Sequence, residues 1–494
     1  MSQVRSVFRH ALVFGMAPVL QKLIALLLLP YFTHYIDEEQ YGLRDLLVAV
    51  TGFFPVLFTF EYRTGFLRSY VAAESALERA RLTTATVLSM AVLAALAAGS
   101  FQLFWEPIFR FAEAPPVSDF FRGVLTAGIA LDILVLALVS VLQAELWSGR
   151  MVTLNLVQFT LGVLLNVYFV VVEELGALGL FLGYTLSSSV YLLGLLWLTR
   201  GLFTRRLSLL EIPSICRPAF LYSLPLWGGA IAYFVVRHVE RIVIPGASGL
   251  ASLGVYGFAW KLSNMLVVFL VGPFKRSFDV WRFKVYEEGG AVEVITDSFR
   301  WFMLALGGAA VGVATFGIDL FLGLADPGFA GAATYLPWLN VAVLLQGAYT
   351  VTASALFVTA RTGLWMTLFV IGAVLQVVLC WVLIPQLGPH GAAYAMIATN
   401  AFLYAGSEVL GRRLWPVPYR HGLALGVVAL ATALSFARAS APVEKLGSAL
   451  LLDALLLAVF VAVAVGMRWV AVAELREGWR IVRERVVAKL RRLG

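Results

Sequence analysis

The chain has 494 residues, 61% of them hydrophobic and 13% charged, with a mean hydropathy of +0.88 and a formal net charge of +8. So much apolar sequence exceeds what a water-soluble core needs, and no polar stretch is long enough to form a soluble domain; a soluble enzyme or binding module is excluded. The positive charge is not a nucleic-acid footprint, because it gathers beside apolar stretches and in the C-terminal tail, as in loops that face anionic lipid.

In chain order, about fourteen stretches approach the ~20 residues that cross ~30 Å of hydrocarbon. They fall at 10–35, 42–62, 82–105, 120–145, 151–172, 176–199, 219–244, 252–274, 300–324, 333–359, 364–386, 390–411, 421–437 and 446–467. The first is not a cleavable leader, since Gln21 and Lys22 lie mid-span and no small-residue cleavage site follows. Alternate loops are rich in Arg. With the N-terminus inside, about 28 of the 37 Lys and Arg face the cytoplasm, while outer loops such as Asp37-Glu38-Glu39 and Glu173-Glu174 are acidic. The expected fold is an all-α integral membrane protein with N-in, C-in topology. Cys216 and Cys380 fall in a loop and in a span, so no disulfide, metal site or redox cofactor is expected.

A repeat is present in the spacing. Gly42 and Gly254 are 212 residues apart, and so are the corners Leu175-Gly176-x-x-Gly179 and Leu387-Gly388-x-x-Gly391. Each pair occupies the same place in a six-span set. Six is even, so the sets share an orientation and relate by a pseudo-twofold along the membrane normal, the parallel-repeat plan of some transporters. The expected domains are an N-terminal lobe 1–212, a C-terminal lobe 213–418, two further spans in 419–470, and a basic amphipathic helix over 471–494 on the cytoplasmic leaflet. The segment Ser277–Arg300 has a weaker interfacial pattern.

Charged residues within the spans carry the functional reading, because an ionised group in hydrocarbon must pair or face water. Lys22 lies about twelve residues into the first span, near the bilayer centre at ~1.5 Å per residue. Arg237 and Arg241 lie one helical turn apart on the seventh span, and Lys261 on the eighth. Acidic partners at this depth are fewer: Asp132, Glu240 and, higher, Asp45. The surplus cations imply an aqueous cavity for an anion, with Arg supplying a fork and Lys a point charge for phosphate. Snorkelling to the surface is the alternative, good for Arg44, fair for Arg241 and poor for Lys22. Asp132 is either a counter-ion or a proton- or sodium-coupling site. Glu61 and Arg63 form either a local ion pair or a cytoplasmic gate. Asp319, Glu408 and Asp453 lie near span ends and are expected to be solvated or to snorkel. No catalytic constellation is present; His34 and His390 are isolated outer-loop residues.

Several short motifs keep a definite order: Glu39-x-Tyr41-Gly42-Leu43, Phe66-Leu67-Arg68-Ser69-Tyr70, Tyr222-Ser223-Leu224-Pro225-Leu226, Glu240-Arg241-Ile242-Val243-Ile244, Leu253-Gly254-Val255-Tyr256 and Leu383-Ile384-Pro385-x-x-Gly388-x-x-Gly391. In these the chain resembles the polysaccharide (Wzx-type) flippases, a branch of the MOP superfamily that also holds MurJ and the MATE exporters. The resemblance implies two six-helix lobes around a cationic cavity in a bacterial inner membrane. It implies alternating access and export of an undecaprenyl-diphosphate-linked oligosaccharide, an O-antigen or exopolysaccharide repeat unit. Membrane lipids and the polysaccharide polymerase machinery are the implied partners. A diphosphate-binding role transfers to Lys22, Arg237, Arg241 and Lys261. Family members often have Asp where Glu240 stands; the acid is retained with a longer reach. Rival readings are a lipid II-type flippase, a cation-coupled MATE-like exporter, whose cavity should be acidic, and a membrane polymerase or ligase, which needs a larger outer loop than any here.

Overall fold

The computed structural model describes residues 21–25, 27–204, 206–287, 292–441 and 446–470, and among them every regular element is a helix. In chain order these are α1 (Glu38–Thr59), α2 (Tyr62–Ala72), α3 (Ala76–Phe111), α4 (Asp119–Ala144), α5 (Ser148–Val167), α6 (Gly176–Thr199), α7 (Ile212–Leu266) and α8 (Gly272–Glu287). They continue with α9 (Val292–Gly317), α10 (Ala332–Thr352), α11 (Ser354–Val358), α12 (Thr362–Leu387), α13 (Pro389–Leu414), α14 (His421–Ala439) and α15 (Leu446–Gly466). Eleven helical stretches among the described residues are long and apolar enough to cross a bilayer. One of them, Leu209–Glu287, is 79 residues long and joins two helices across a kink at Gly249, whose φ is 82°. The α13 helix has 26 residues but falls short of that apolarity. The tail 471–494 and the start of the first span lie outside the described residues.

Local sequence sets the helix starts. Asp37 caps α1 by accepting from the Gln40 amide at 2.8 Å, with Glu38 and Glu39 in the first turn. Ser75 caps α3 and Ser118 caps α4 in the same manner, at 3.1 and 3.2 Å. Between α1 and α2 the chain breaks at Phe60 and Glu61, two successive left-handed residues with φ of 51° and 53°. Neither is glycine, so each stores roughly 1–3 kcal/mol of strain.

The described residues group into two compact units. The first lies within Met1–Phe258, Leu324–Ala332 and Met366–Thr399; the second lies within Ala259–Gly323, Ala333–Trp365 and Asn400–Gly494. This grouping cuts the chain elsewhere than at the repeat boundary 212/213, because α1 is pressed against α7. A Cβ on Gly42 would stand 1.9 Å from the Leu250 carbonyl oxygen, and one on Gly254 would stand 2.0 Å from that of Glu38. A Cβ on Gly65 would stand 2.0 Å from the Ala219 carbonyl oxygen, and the Gly65 amide donates to the Ser223 hydroxyl at 3.0 Å. The equivalent glycines Gly42 and Gly254 therefore face each other. The two equivalent corners share one geometry: Gly176 and Gly388 are both left-handed, at φ 54° and 59°. Gly179 and Gly391 each lie against the backbone of the preceding helical segment.

In the second unit α9 packs along α14 and α15. Gly307 allows this approach, since a Cβ there would meet Val427 Cγ1 at 2.3 Å and Phe460 Cζ at 3.1 Å. Asp319, Glu408 and Asp453, expected to be solvated or to snorkel, are instead drawn into ion pairs. Arg438 on α14 pairs with Asp319 and, at 2.8 Å, with Asp453, which is fully buried on α15. Glu408 pairs with Arg412 and lies 3.0 Å from His421 Nε2. The physical reason is that α14 and α15 cover these positions, and a covered carboxylate keeps its charge only beside a cation.

Candidate functional site

The α7 helix organises the charged residues of the first unit. One of its faces carries Arg237, Glu240 and Arg241; another carries Phe234, Val235, His238, Val239 and Ile242, and the 3.6-residue period keeps the two apart. On the charged face, Arg241 Nη1 donates to Glu240 Oε1 at 2.5 Å and to the Arg237 carbonyl oxygen at 2.7 Å, while its Nε lies 4.0 Å from Asp45 Oδ2. Arg44 pairs with the other Asp45 oxygen at 2.8 Å. Asp45, Glu240 and Arg241 are all buried. Gly257 makes the room, because a Cβ there would come within 2.3 Å of Asp45 Oδ2. The result is a buried ion network that ties α1 to α7.

Arg241 is the most buried of the four candidate cations. It is 4% exposed and lies against Glu240 and Asp45. Glu240 is its acidic neighbour in the network. Arg237, one turn earlier, is half-buried, with its guanidinium 5.6 Å from the Tyr233 ring centroid. Lys22 is exposed beside Gln21, whose side chain donates to the Asn155 carbonyl at 3.2 Å. Lys261 is half-buried and belongs to the second unit. Arg237, Glu240 and Arg241 are thus brought together with Asp45.

Asp132, read as either a counter-ion or a coupling site, accepts from the Tyr184 hydroxyl and forms no ion pair among the described residues. Glu61 and Arg63 form no pair with each other: Glu61 sits in the left-handed break, and Arg63 Nε donates to Gln143 Oε1 at 3.0 Å. Two residues that follow were not anticipated as partners, Tyr70 and Glu145, which share a hydrogen bond that joins α2 to the end of α4. Nothing in their spacing announces that bond.

Against the apolar face of α7 lies a cavity of about 700 Å³, walled by α1, α3, α7 and α12. Its lining includes Phe54, Phe58, Phe104 and Phe234, and its only polar side chains are Ser100 and His238. His238 stacks on Phe234 with ring centroids 4.4 Å apart. Hydrocarbon is therefore a compatible occupant, and an ion is not. No group of His, Cys, Asp or Glu suited to a metal ion occurs among the described residues.

A comparison with the sequences of curated proteins finds no match. Among solved structures, the chain is similar to "Lipid II flippase MurJ, inward closed conformation", with a TM-score of 0.73 at 11% identity over 92% of this chain and 99% of that one. It is also similar to an inward-facing multidrug resistance MATE transporter of the MOP superfamily, with a TM-score of 0.58 at 19% identity over 80% and 97% of the two chains. The eukaryotic MATE transporter AtDTX14 gives 0.54 at 12% identity over 87% and 99%. The fold is therefore that of the MurJ and MATE transporters, as the sequence resemblance implied, and the chain is a multi-pass membrane protein. A family model described as "Polysaccharide biosynthesis protein" matches residues 7–278, more than half of the chain, and the chain belongs to that family.

Proposed function

We propose that this protein is an inner-membrane flippase that carries an undecaprenyl-diphosphate-linked oligosaccharide from the cytoplasmic to the outer leaflet. The observation that carries the reading is that α7 bears Arg237 on the same face as a buried ion network and lines a 700 Å³ apolar cavity with another face. A lipid diphosphate needs both surfaces: a cation for its head and hydrocarbon for its chain. The polysaccharide family supports a glycan as cargo, and the transporter fold supports translocation. In this reading Lys22, Arg237 and Lys261 bind the diphosphate in a path between lobes 1–212 and 213–418, and Arg241 holds α7 in place for Arg237. The lobes rock to expose the site alternately to either face. The chain works with the polymerase machinery that receives its cargo. Asp132, hydrogen-bonded to Tyr184, is kept as a coupling residue, and the break at Glu61 as a point of bending near the cytoplasmic gate.

The test is flipping in proteoliposomes of a short-chain polyprenyl-diphosphate oligosaccharide by wild type, Lys22→Ala and Arg237→Ala. Hydrogen bonds to charged groups contribute about 1.5–3 kcal/mol each, so each variant should lose roughly tenfold or more in transport. Undiminished transport in both folded variants refutes the cationic site. The full-length likeness to a lipid II flippase favours a second reading, in which the head group is a peptidoglycan precursor. Competition between the two lipids in the same vesicles separates them.

A further inference from the structure

The last two helices carry a site that lies apart from the α7 network. Arg438, in the final turn of α14, donates through Nε to Asp453 Oδ1 on α15 at 2.8 Å and through Nη1 to the Ala441 carbonyl oxygen at 3.0 Å. Through Nη2 it donates to Asp319 Oδ1. Asp319 stands on a π-helical turn, Ile318–Leu322, that continues α9. Arg438 is 4% exposed and Asp453 is fully buried. These groups meet from all three helices packed here, and no other titratable side chain bonds to any of them among the described residues.

Among the described residues the charges do not balance. One guanidinium offsets one carboxylate, which leaves a full negative charge in a setting where an isolated ion costs several kcal/mol. The hydrogen bonds do not balance either. Asp319 Oδ2 and Asp453 Oδ2 are both buried, and no donor among the described residues reaches either oxygen. The two carboxyl groups converge on one guanidinium, Asp319 at Nη2 and Asp453 at the neighbouring Nε. One proton resolves both deficits. Placed on one carboxyl and donated to the other, it makes the triad neutral and satisfies the orphaned oxygens, as in other sites where two carboxyls share a proton.

We propose that Asp319 and Asp453, held together by Arg438, form a binding site for one exchangeable proton at the seat of the α14–α15 pair on α9. Loss of the proton sets two like charges face to face at the contact that seats α15, so proton occupancy and the docking of the helix pair are linked. The site does not depend on what the protein carries.

The experiment is infrared spectroscopy of the full-length protein in lipid, with ¹³C-labelled aspartate, comparing wild type, Asp319→Asn, Asp453→Asn and Asp132→Asn. In wild type near neutral pH, one protonated-carboxyl band that shifts on deuteration should belong to this pair. Because the proton is shared, either Asp319→Asn or Asp453→Asn should abolish that same band, and Asp132→Asn should leave it. Both substitutions keep the side-chain shape and leave one acid for Arg438, so either one that folds suffices. A spectrum in which neither variant loses a band overturns the proposal. So does a band that wild type shows only when sodium is withheld, since a metal cation then fills the site.

Discussion

Arg237 and Arg241 are separated by one turn of α7 and have different consequences. Arg241 holds two buried acids, Glu240 and Asp45, in register. Arg241→Met leaves both without that cation, which should cost about 3–5 kcal/mol and show as a lower melting temperature and a poor yield of monodisperse protein in detergent. Arg237 supplies its carbonyl oxygen to the network, and Arg237→Ala retains that oxygen. This variant should melt within about 1 kcal/mol of wild type while losing transport. A melting loss in Arg237→Ala as large as that in Arg241→Met would place Arg237 inside the structural network instead. The need of these residues for acidic partners was legible in the sequence. Which Arg the acids would take was not legible, because it depends on how α1 and α7 face each other.

At the scale of elements, glycines decide how closely helices approach. Gly42→Ala and Gly254→Ala each drive a methyl into a backbone carbonyl that cannot move alone. Each should destabilise the protein by roughly 1–3 kcal/mol, measured as thermal unfolding in detergent. Gly312 on α9 is the comparison, because nothing lies within 4 Å of its missing Cβ. There alanine should be neutral or raise stability by up to ~1 kcal/mol through better helix propensity. At the corners, Gly388→Asn should be tolerated far better than Gly388→Val, since asparagine accepts a left-handed φ and a β-branched residue does not. The 212-residue spacing marked these positions in advance, since a tight corner and a close crossing are demands on single residues. The π-helical turns at Tyr168–Val172, Val267–Val271 and Ile318–Leu322 left no such mark, because one inserted residue does not alter a hydrophobic pattern.

For the whole molecule, outward movement of a diphosphate down an inside-negative potential releases ~2.3 kcal/mol per charge per 100 mV. If the proposed cargo is right, an imposed potassium-diffusion potential, inside negative, should accelerate flipping severalfold in oriented proteoliposomes. Collapse of the potential should slow it without any added sodium or pH gradient. Unchanged rates under both conditions, with control by an ion gradient instead, would assign the drive to a coupled ion.

The sequence by itself determined that this is a helical membrane protein and which glycines mark equivalent corners. Those properties answer to the thickness of hydrocarbon and to backbone sterics, which act on residues near one another in the chain. The tertiary structure alone decided how the buried charges are shared. Asp45 meets Arg241 and Asp319 meets Arg438 across more than a hundred residues of chain. Asp453, expected to be solvated, is fully buried, and Asp132, expected to sit opposite a cation or a coupling ion, sits against a tyrosine. An ion pair forms only where two side chains from separate helices point at the same space, and that direction is set by helix rotation and crossing, which no local pattern records.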